Sequence, residues 1–265
     1  MVGAWLVTRP WPRAVDARTD LGGHAVEPVG VQARDGAALR GWLVRAGAEG
    51  AARCVVLAAG IRGNRRAMLP RAEWWLAHGW STLLVDLRGT GESAPERVSF
   101  GWGESLDLCA WHAFLGTRGF TAIGVHGQSL GAAAAVYTAV RGEPPPPWRF
   151  VVLEACYANL REALAARLPW LPTPFTWPMV VAAEQLLDVD VDRLDPVAAI
   201  TALHAPTLLV CGGADPWVGP DGNARLFAAS GAVTKRSVTI AGLAHVDLWR
   251  DPQLARALGE FVAGL

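Results

Sequence analysis

Hydrophobic residues in this chain form short runs that alternate with longer amphipathic stretches after residue 50. Two of the runs, residues 54–59 and 81–87, are apolar almost throughout, and residues 69–78 between them have helical spacing and end at Gly79. Short strands that are apolar on both faces are typical of a parallel sheet that is covered by helices on each side. The alternation therefore predicts an α/β fold with a mostly parallel sheet.

The same pattern predicts the other elements. Further strands are expected at residues 122–126, 149–153, 207–211 and 235–240, and further helices at 105–117 and about 251–262. In residues 26–45, two candidate strands at 26–32 and 39–44 lie on either side of a turn at Arg34-Asp35-Gly36. This stretch predicts a hairpin that forms an antiparallel edge of the sheet.

Residues 157–200 interrupt the alternation of strand and helix. Prolines are mixed here with large apolar side chains, including Trp170, Phe175, Trp177 and Met179. Ligands of open α/β folds bind at the carboxyl ends of the strands, where such an insertion would lie. We therefore expect one domain, residues 1–265, with a helical cap inserted at residues 157–200.

Composition and charge narrow the class of protein. The chain has 265 residues, of which 52% are hydrophobic, so a single large core is expected. The formal net charge is zero, and neither nucleic acid nor an anionic membrane surface is therefore expected as a partner. No run is long enough to span a bilayer, so stable membrane insertion is not expected.

Cysteine usage and the N-terminal residues indicate a cytoplasmic protein. The four cysteines are widely spaced and show neither metal-ligand spacing nor a disulfide framework. Free thiols are typical of a reducing compartment. Arg9, Pro10, Pro12 and Arg13 stand where a secretory signal peptide would need an unbroken apolar core.

The segment Gly127-Gln128-Ser129-Leu130-Gly131 is the strongest chemical signal in the chain. It follows a predicted strand and precedes a helix of small residues, which is the context of a nucleophile elbow. The turn forces the serine backbone into a strained conformation, and side chains at the two glycines would collide with neighbouring backbone. Ser129 is the predicted nucleophile; the alternative is an ordinary glycine-flanked turn.

A serine hydroxyl needs a base within hydrogen-bond reach. Among six histidines, His245 follows the last predicted strand, from where it can reach a neighbouring elbow, and it is the predicted base. His126 lies within a strand and is predicted to pack there. The base needs an acid that fixes its tautomer, and Asp215, after the strand at 207–211, is favoured over Glu154. The alternative for Asp215 is a turn aspartate ahead of a proline.

Acyl transfer also needs hydrogen-bond donors for the oxyanion. The backbone N–H of Leu130, directly after the serine, is one predicted donor, and that of Ile61, in the loop after residues 54–59, is the other. Because backbone groups do this work, the side chains at these positions are free to vary. The alternative for the second loop is a plain glycine turn.

Taken together, these segments resemble the α/β-hydrolase superfamily over residues 26–265. Four features occur in the order found there: a loop at Ala59-Gly60-Ile61-Arg62-Gly63-Asn64, a turn at Asp86-Leu87-Arg88-Gly89-Thr90-Gly91-Glu92-Ser93, the elbow around Ser129, and Asp215 followed by His245. The chain is most similar to small-cap serine hydrolases of the serine aminopeptidase-like and carboxylesterase-like branch. The resemblance implies a triad of Ser129, Asp215 and His245, with Ile61 and Leu130 as the oxyanion hole.

The chain departs from this pattern at two positions. Ala59 stands where many relatives carry histidine, and Thr90 stands where histidine is common. Neither position belongs to the triad. A serine nucleophile, rather than an aspartate, argues against the haloalkane dehalogenases and epoxide hydrolases of the superfamily.

The expected activity is that of a carboxylesterase-type serine hydrolase, with no metal and no organic cofactor. The expected substrate is a small uncharged ester with a short or medium acyl chain. A predicted substrate pocket under the cap comprises Trp170, Phe175, Trp177, Met179 and Leu187, which could equally form the core of the cap. Arg62, Arg65 and Arg66 could bind a carboxylate or be solvated. A peptidase or amidase, a thioesterase, and a non-catalytic binding protein remain alternatives, and the oligomeric state is left open.

Overall fold

The computed structural model describes residues 8–47, 52–166, 180–182, 184–187, 189–245 and 248–265. The strands are β1 (Trp11–Pro12), β2 (Asp20–Leu21), β3 (His24–Gln32), β4 (Ala38–Val44), β5 (Arg53–Ala58), β6 (Ser81–Asp86), β7 (Thr90–Gly91), β8 (Ala122–Gln128), β9 (Val151–Glu154), β10 (Thr207–Gly212) and β11 (Lys235–Ile240). The helices are α1 (Leu69–Ala77), α2 (Glu104–Thr117), α3 (Leu130–Arg141), α4 (Leu160–Ala166), α5 (Pro196–Ala199), α6 (Gly219–Ala229) and α7 (Pro252–Ala263). Short 3₁₀ helices occupy Arg65–Met68, Val191–Arg193, Ile200–Ala202 and Leu248–Arg250.

Nine of these strands form one sheet in the order β11-β10-β9-β8-β5-β6-β4-β3-β2. The neighbours from β11 to β6 are all parallel, whereas β4, β3 and β2 add an antiparallel edge. The predicted α/β fold with an antiparallel N-terminal hairpin is confirmed. The pair β1 and β7 forms a separate two-stranded ribbon that the sequence pattern does not predict.

Both faces of the sheet are buried, because successive side chains of a strand point to opposite sides. In β5, Val56 joins one apolar cluster and Leu57 joins the other, and both are fully buried. The first cluster is covered by α2 and α3 and the second by α1 and α7. This arrangement explains why the central strands are apolar at nearly every position.

The strand order reverses beside β5, since β6 lies on one side of it and β8 on the other. Ala58 at the end of β5 is in register with Gly127 near the end of β8. Such a reversal opens a crevice at the carboxyl ends of the two strands. The loop after β5 and the turn after β8 are therefore held side by side.

The predicted cap at residues 157–200 is described in part. Its described portion is mostly helical and includes α4, residues 180–182 and 184–187, and α5. Residues 167–179 lie outside the described residues. The division into one domain with a cap stays a prediction. In the ranges that are described, no helix combines the length and the apolar character required to traverse a bilayer.

Candidate active site

Ser129 lies in the sharp turn between β8 and α3, with φ 51° and ψ −106°. This positive φ is rare for a residue with a side chain and indicates strain. A Cβ atom on Gly127 would overlap the backbone of Gly131, and one on Gly131 would overlap the backbone of Ala58. The turn is secured from the neighbouring strand, because the Ser129 N–H donates to the carbonyl oxygen of Glu154 at 2.8 Å.

The structure brings Ser129, His245 and Asp215 together. The Nε2 atom of His245 lies 2.8 Å from the hydroxyl oxygen of Ser129, and its Nδ1 atom lies 2.7 Å from Oδ2 of Asp215. His245 follows β11 and Asp215 follows β10, so both side chains extend from the carboxyl end of the sheet toward the elbow. Three segments that are distant in sequence thus form one hydrogen-bonded chain of hydroxyl, imidazole and carboxylate.

Asp215 also forms the turn that was its alternative interpretation. Its Oδ1 atom accepts the backbone N–H groups of Trp217 at 2.9 Å and Val218 at 3.1 Å. Burial opposes ionisation of this carboxyl, but the hydrogen bonds from His245 and from the two backbone groups outweigh it, and the pKa of Asp215 lies below its usual value. One oxygen therefore shapes the loop while the other orients the imidazole.

The two predicted oxyanion donors border the same cavity as Ser129 and His245. Leu130 is the first residue of α3, where a backbone N–H has no acceptor within the helix and the helix dipole is positive. Ile61 follows Gly60, and a Cβ atom on Gly60 would lie only 3.3 Å from the Cβ of Ser129. The loop after β5 is thus close to the serine, and the role of both N–H groups stays a prediction.

The loop after β5 is braced by the turn after β6. Asp86 is buried and accepts the backbone N–H of Arg65 at 2.7 Å and that of Glu92 at 2.9 Å. The buried Arg65 guanidinium also pairs with the carboxylates of Asp86 and Glu92. These contacts support a loop in which Ala59 replaces the histidine of many relatives.

The three arginines of this loop, Arg62, Arg65 and Arg66, have different surroundings. Arg65 is enclosed by the carboxylates of the β6 turn, and the exposed Arg66 pairs with Asp16. Arg62 borders the cavity and has its guanidinium 5.0 Å from the ring centroid of Trp11. Arg62 is the one of the three that lies at the cavity wall.

The cavity beside Ser129 has a volume of about 280 Å³. Besides the residues already named, its wall is formed by Phe100, Tyr157, Leu160, Ala163, Leu164, Trp217 and Val218. Among the predicted pocket residues, Trp170, Phe175, Trp177 and Met179 lie outside the described residues. Leu187 packs against the larger apolar cluster and does not border the cavity. Contrary to the expectation, Leu187 is therefore not a residue of this cavity. Leu160, Ala163 and Leu164 of α4 border it instead.

Glu154, the rival acid, belongs to a different cluster. It is fully buried, binds the guanidinium of Arg71 through both oxygens, and contacts Nε2 of His126. Burial raises its pKa, but Arg71 and His126 reverse this effect and lower the pKa to about 2. The described contacts of Glu154 place it with His126 and not with His245, so the geometry favours Asp215 as the acid.

His126 is a buried packing residue, as its position in a strand predicts. Its Nδ1 atom accepts the indole N–H of Trp75 at 3.1 Å, so the ring proton is on Nε2 and is directed at Glu154. Burial lowers the pKa of His126, which keeps the ring neutral. The contact of this histidine with the ion pair of Glu154 and Arg71 was not predicted from the sequence.

Comparisons with known proteins agree with this architecture. No family model matches the chain. The uncharacterized protein Rv2307c of Mycobacterium tuberculosis is 32% identical over 227 residues, which cover 84% of this chain and 72% of that protein. The esterase Pf2001 of Pyrococcus furiosus superposes with a TM-score of 0.78 at 20% identity, covering 96% of this chain and 97% of its own. The α/β hydrolase GrgF of a Penicillium species superposes with a TM-score of 0.68 at 20% identity, covering 89% and 97%.

The chain belongs to one family with the mycobacterial protein, and it has the fold of the esterase and of the α/β hydrolase, as the sequence resemblance implies.

Proposed function

We propose that this protein is a serine hydrolase that cleaves carboxylic esters through an acyl-enzyme intermediate. The observation that carries the proposal is the contact between Ser129 and His245 at 2.8 Å, with the other ring nitrogen 2.7 Å from Asp215. With the Nδ1 proton directed at the carboxylate, Nε2 is free to accept the serine proton. This is the arrangement that a weak hydroxyl nucleophile requires.

The reaction has two steps. The Ser129 oxygen attacks the ester carbonyl carbon while its proton moves to Nε2 of His245, and the oxyanion accepts hydrogen bonds from the N–H groups of Ile61 and Leu130. His245 then protonates the departing alcohol as the carbon–oxygen bond breaks. Water attacks the acyl-serine by the same route, giving its proton to His245. His245 returns a proton to the Ser129 oxygen as the bond from that oxygen to the acyl carbon breaks, and the free acid leaves.

Apart from Arg62, Ser129 and His245, the cavity wall consists of apolar and aromatic residues, which favours a small apolar acyl group. Phe100, Leu160 and Leu164 present apolar side chains, and the volume of about 280 Å³ lies near the lower end of ordinary ligand pockets. The solved structure with the higher TM-score is described as an esterase, which supports the same choice. Esters are also the easiest acyl donors for such a nucleophile.

The test is turnover of a series of p-nitrophenyl esters, from acetate to dodecanoate, by the wild type and by Ser129→Ala. We expect the wild type to hydrolyse the shorter members and the variant to lose about 10⁴-fold or more in kcat. Circular dichroism establishes that the variant is folded. Wild-type turnover by folded Ser129→Ala would remove Ser129 from the mechanism.

Parallel assays separate the competing activities on the same residues. Aminoacyl amides test for a peptidase or amidase, and acyl-CoA compared with the matched oxygen ester tests for a thioesterase. A folded wild type that turns over none of these and does not react with a fluorophosphonate would be a binding protein.

A further inference from the structure

Two cavities meet at Ser129 and His245. The first is the cavity of about 280 Å³ described above, here called the apolar chamber. The second, called the polar chamber, has a volume of about 440 Å³ and is bordered also by Gly60, Gly63, Ala67, Arg71 and Gln128. The walls shared by both chambers are Ile61, Ser129, Trp217 and His245.

Trp217 lies at the boundary between the chambers. Its ring meets the imidazole of His245 edge to face, with the centroids 5.1 Å apart and the planes at 65°. Its backbone N–H donates to Asp215, so its place in the loop is fixed by the carboxylate that also binds His245. Trp217 is 38% exposed and borders both cavities. This residue therefore lies where the two spaces approach the same hydroxyl.

The apolar chamber offers no free hydroxyl from its tyrosine. The Tyr157 hydroxyl donates to the carbonyl oxygen of Phe100 at 2.6 Å and also contacts the hydroxyl of Tyr137 at 3.2 Å. Both partners come from the protein, so this ring contributes only apolar contact to the chamber. Together with Leu160 and Leu164, it gives this chamber a mostly apolar wall, which also includes Arg62.

Apart from the shared Ser129 and His245, the polar chamber has two residues with polar side chains, Gln128 and Arg71, in a wall that otherwise consists largely of glycine and apolar residues. The charge of Arg71 is balanced, because its Nε and Nη2 atoms pair with the carboxylate of Glu154. A paired arginine attracts an anion much less than an isolated one. The wall therefore suits a neutral group that forms hydrogen bonds, such as an alcohol that carries further hydroxyls.

We infer that Trp217 is a specificity-determining residue that separates these chambers and so orients the ester, with a compact apolar acyl group on one side and a neutral hydroxylated alcohol on the other. The inference rests on the proposed esterase function. Removal of the indole would join the two spaces, so the acyl group would no longer be limited by the apolar chamber alone.

The experiment compares substrate ratios, which a general loss of activity does not change. One ratio is kcat/KM for p-nitrophenyl decanoate over p-nitrophenyl butyrate, and the other is kcat/KM for monobutyrylglycerol over hexyl butyrate. We expect Trp217→Ala to raise the first ratio about tenfold and to lower the second by a similar factor, since a few methylenes in a pocket are worth that much. Trp217→Phe keeps a flat ring and should stay within about twofold of the wild type.

Trp74→Ala is the matched control, because Trp74 is partly buried on α1 and borders neither chamber. If Trp217→Ala does not fold, Trp217→Leu gives the same comparison with a smaller cavity change. Unchanged ratios in a folded, active variant would overturn the role of Trp217 and leave the esterase intact. Absence of ester turnover in the wild type would instead overturn the proposed function.

Discussion

Two buried pairs of histidine and carboxylate lie near the carboxyl edge of the sheet, and they differ in the second partner of the histidine. His245 binds Asp215 through Nδ1 and contacts the Ser129 hydroxyl through Nε2. His126 binds Glu154 through Nε2, and its other nitrogen accepts the indole N–H of Trp75. A hydroxyl can become a nucleophile when its proton is removed, whereas an indole N–H serves only as a donor here. The same two residue types therefore occur in the proposed reactive site and in a packing motif.

The counter-charge of each carboxylate differs as well. Glu154 is balanced by the buried guanidinium of Arg71, so a neutral His126 satisfies it. Asp215 is held by two backbone N–H groups, and its described partners include no arginine. In the proposed reaction, Asp215 can then stabilise the positive charge that appears on His245. Both pairs have a contact between an acid and a histidine. They are distinguished by the cation beside the acid, which is Arg71 for Glu154.

The largest expected effect is on turnover. Asp215→Asn removes the charge that fixes the His245 tautomer, and kcat for the preferred p-nitrophenyl ester should fall about 10⁴-fold. Glu154→Gln should leave kcat, measured on the folded fraction, within about threefold of the wild type, because its described side-chain contacts do not include His245. Equal losses of kcat in the two variants would contradict the distinction between the two histidine–carboxylate pairs.

The free energy of unfolding should rank the two variants in the opposite order, with the larger loss in Glu154→Gln. Glu154→Gln removes the charged partner that the described residues give to the buried Arg71, so the free energy of unfolding should fall by about 3–5 kcal/mol. Asp215→Asn should reduce it by less, since no buried cation is left behind among its described partners. Urea unfolding followed by circular dichroism measures both. The double variant Arg71→Met with Glu154→Gln should recover most of the loss, because it removes both charges; a double variant as unstable as the single one would refute the ion-pair explanation.

The smallest expected effect is on acid stability. Folding lowers the pKa of Glu154 to about 2, from about 4.3 in an unfolded chain. The ionised carboxylate therefore stabilises the fold above about pH 4.3, and this contribution is lost as the pH falls toward 2. Between these values the free energy of unfolding of the wild type should depend on pH more steeply than that of the double variant, by about 1.4 kcal/mol per pH unit. Parallel pH profiles would show that Glu154 does not titrate in this range.

Much of the fold could be predicted, because a sheet that is covered by helices on both faces needs strands that are apolar at nearly every position. Fully apolar strands must lie between two layers of helices, so their positions follow from hydrophobicity alone. The predicted strand at residues 207–211 corresponds to β10, for example, and the hairpin at 26–45 corresponds to β3 and β4. The two-residue strands β1 and β7 were missed, since so short a segment carries no periodic signal.

The candidate site was predictable where local geometry demands particular residues. The elbow needs glycines around Ser129, and loops after parallel strands meet at one edge, which brings in Asp215 and His245. Phe100 was missed because it comes from a connecting segment at φ 55°, with no repeat that would place it at the cavity. The pairing of Arg71 with Glu154 was missed because it joins residues 83 positions apart and depends on how α1 packs on the sheet.

Reaction with a fluorophosphonate, followed by peptide mapping in the mass spectrometer, tests most directly the claim that His245 and Asp215 activate Ser129. We predict a single adduct on Ser129 in the wild type and in Glu154→Gln, and labelling that is slowed about 10³-fold or more in His245→Ala. An unlabelled Ser129 in folded wild-type protein, or labelling of Ser129 that is equally fast without His245, would contradict the account.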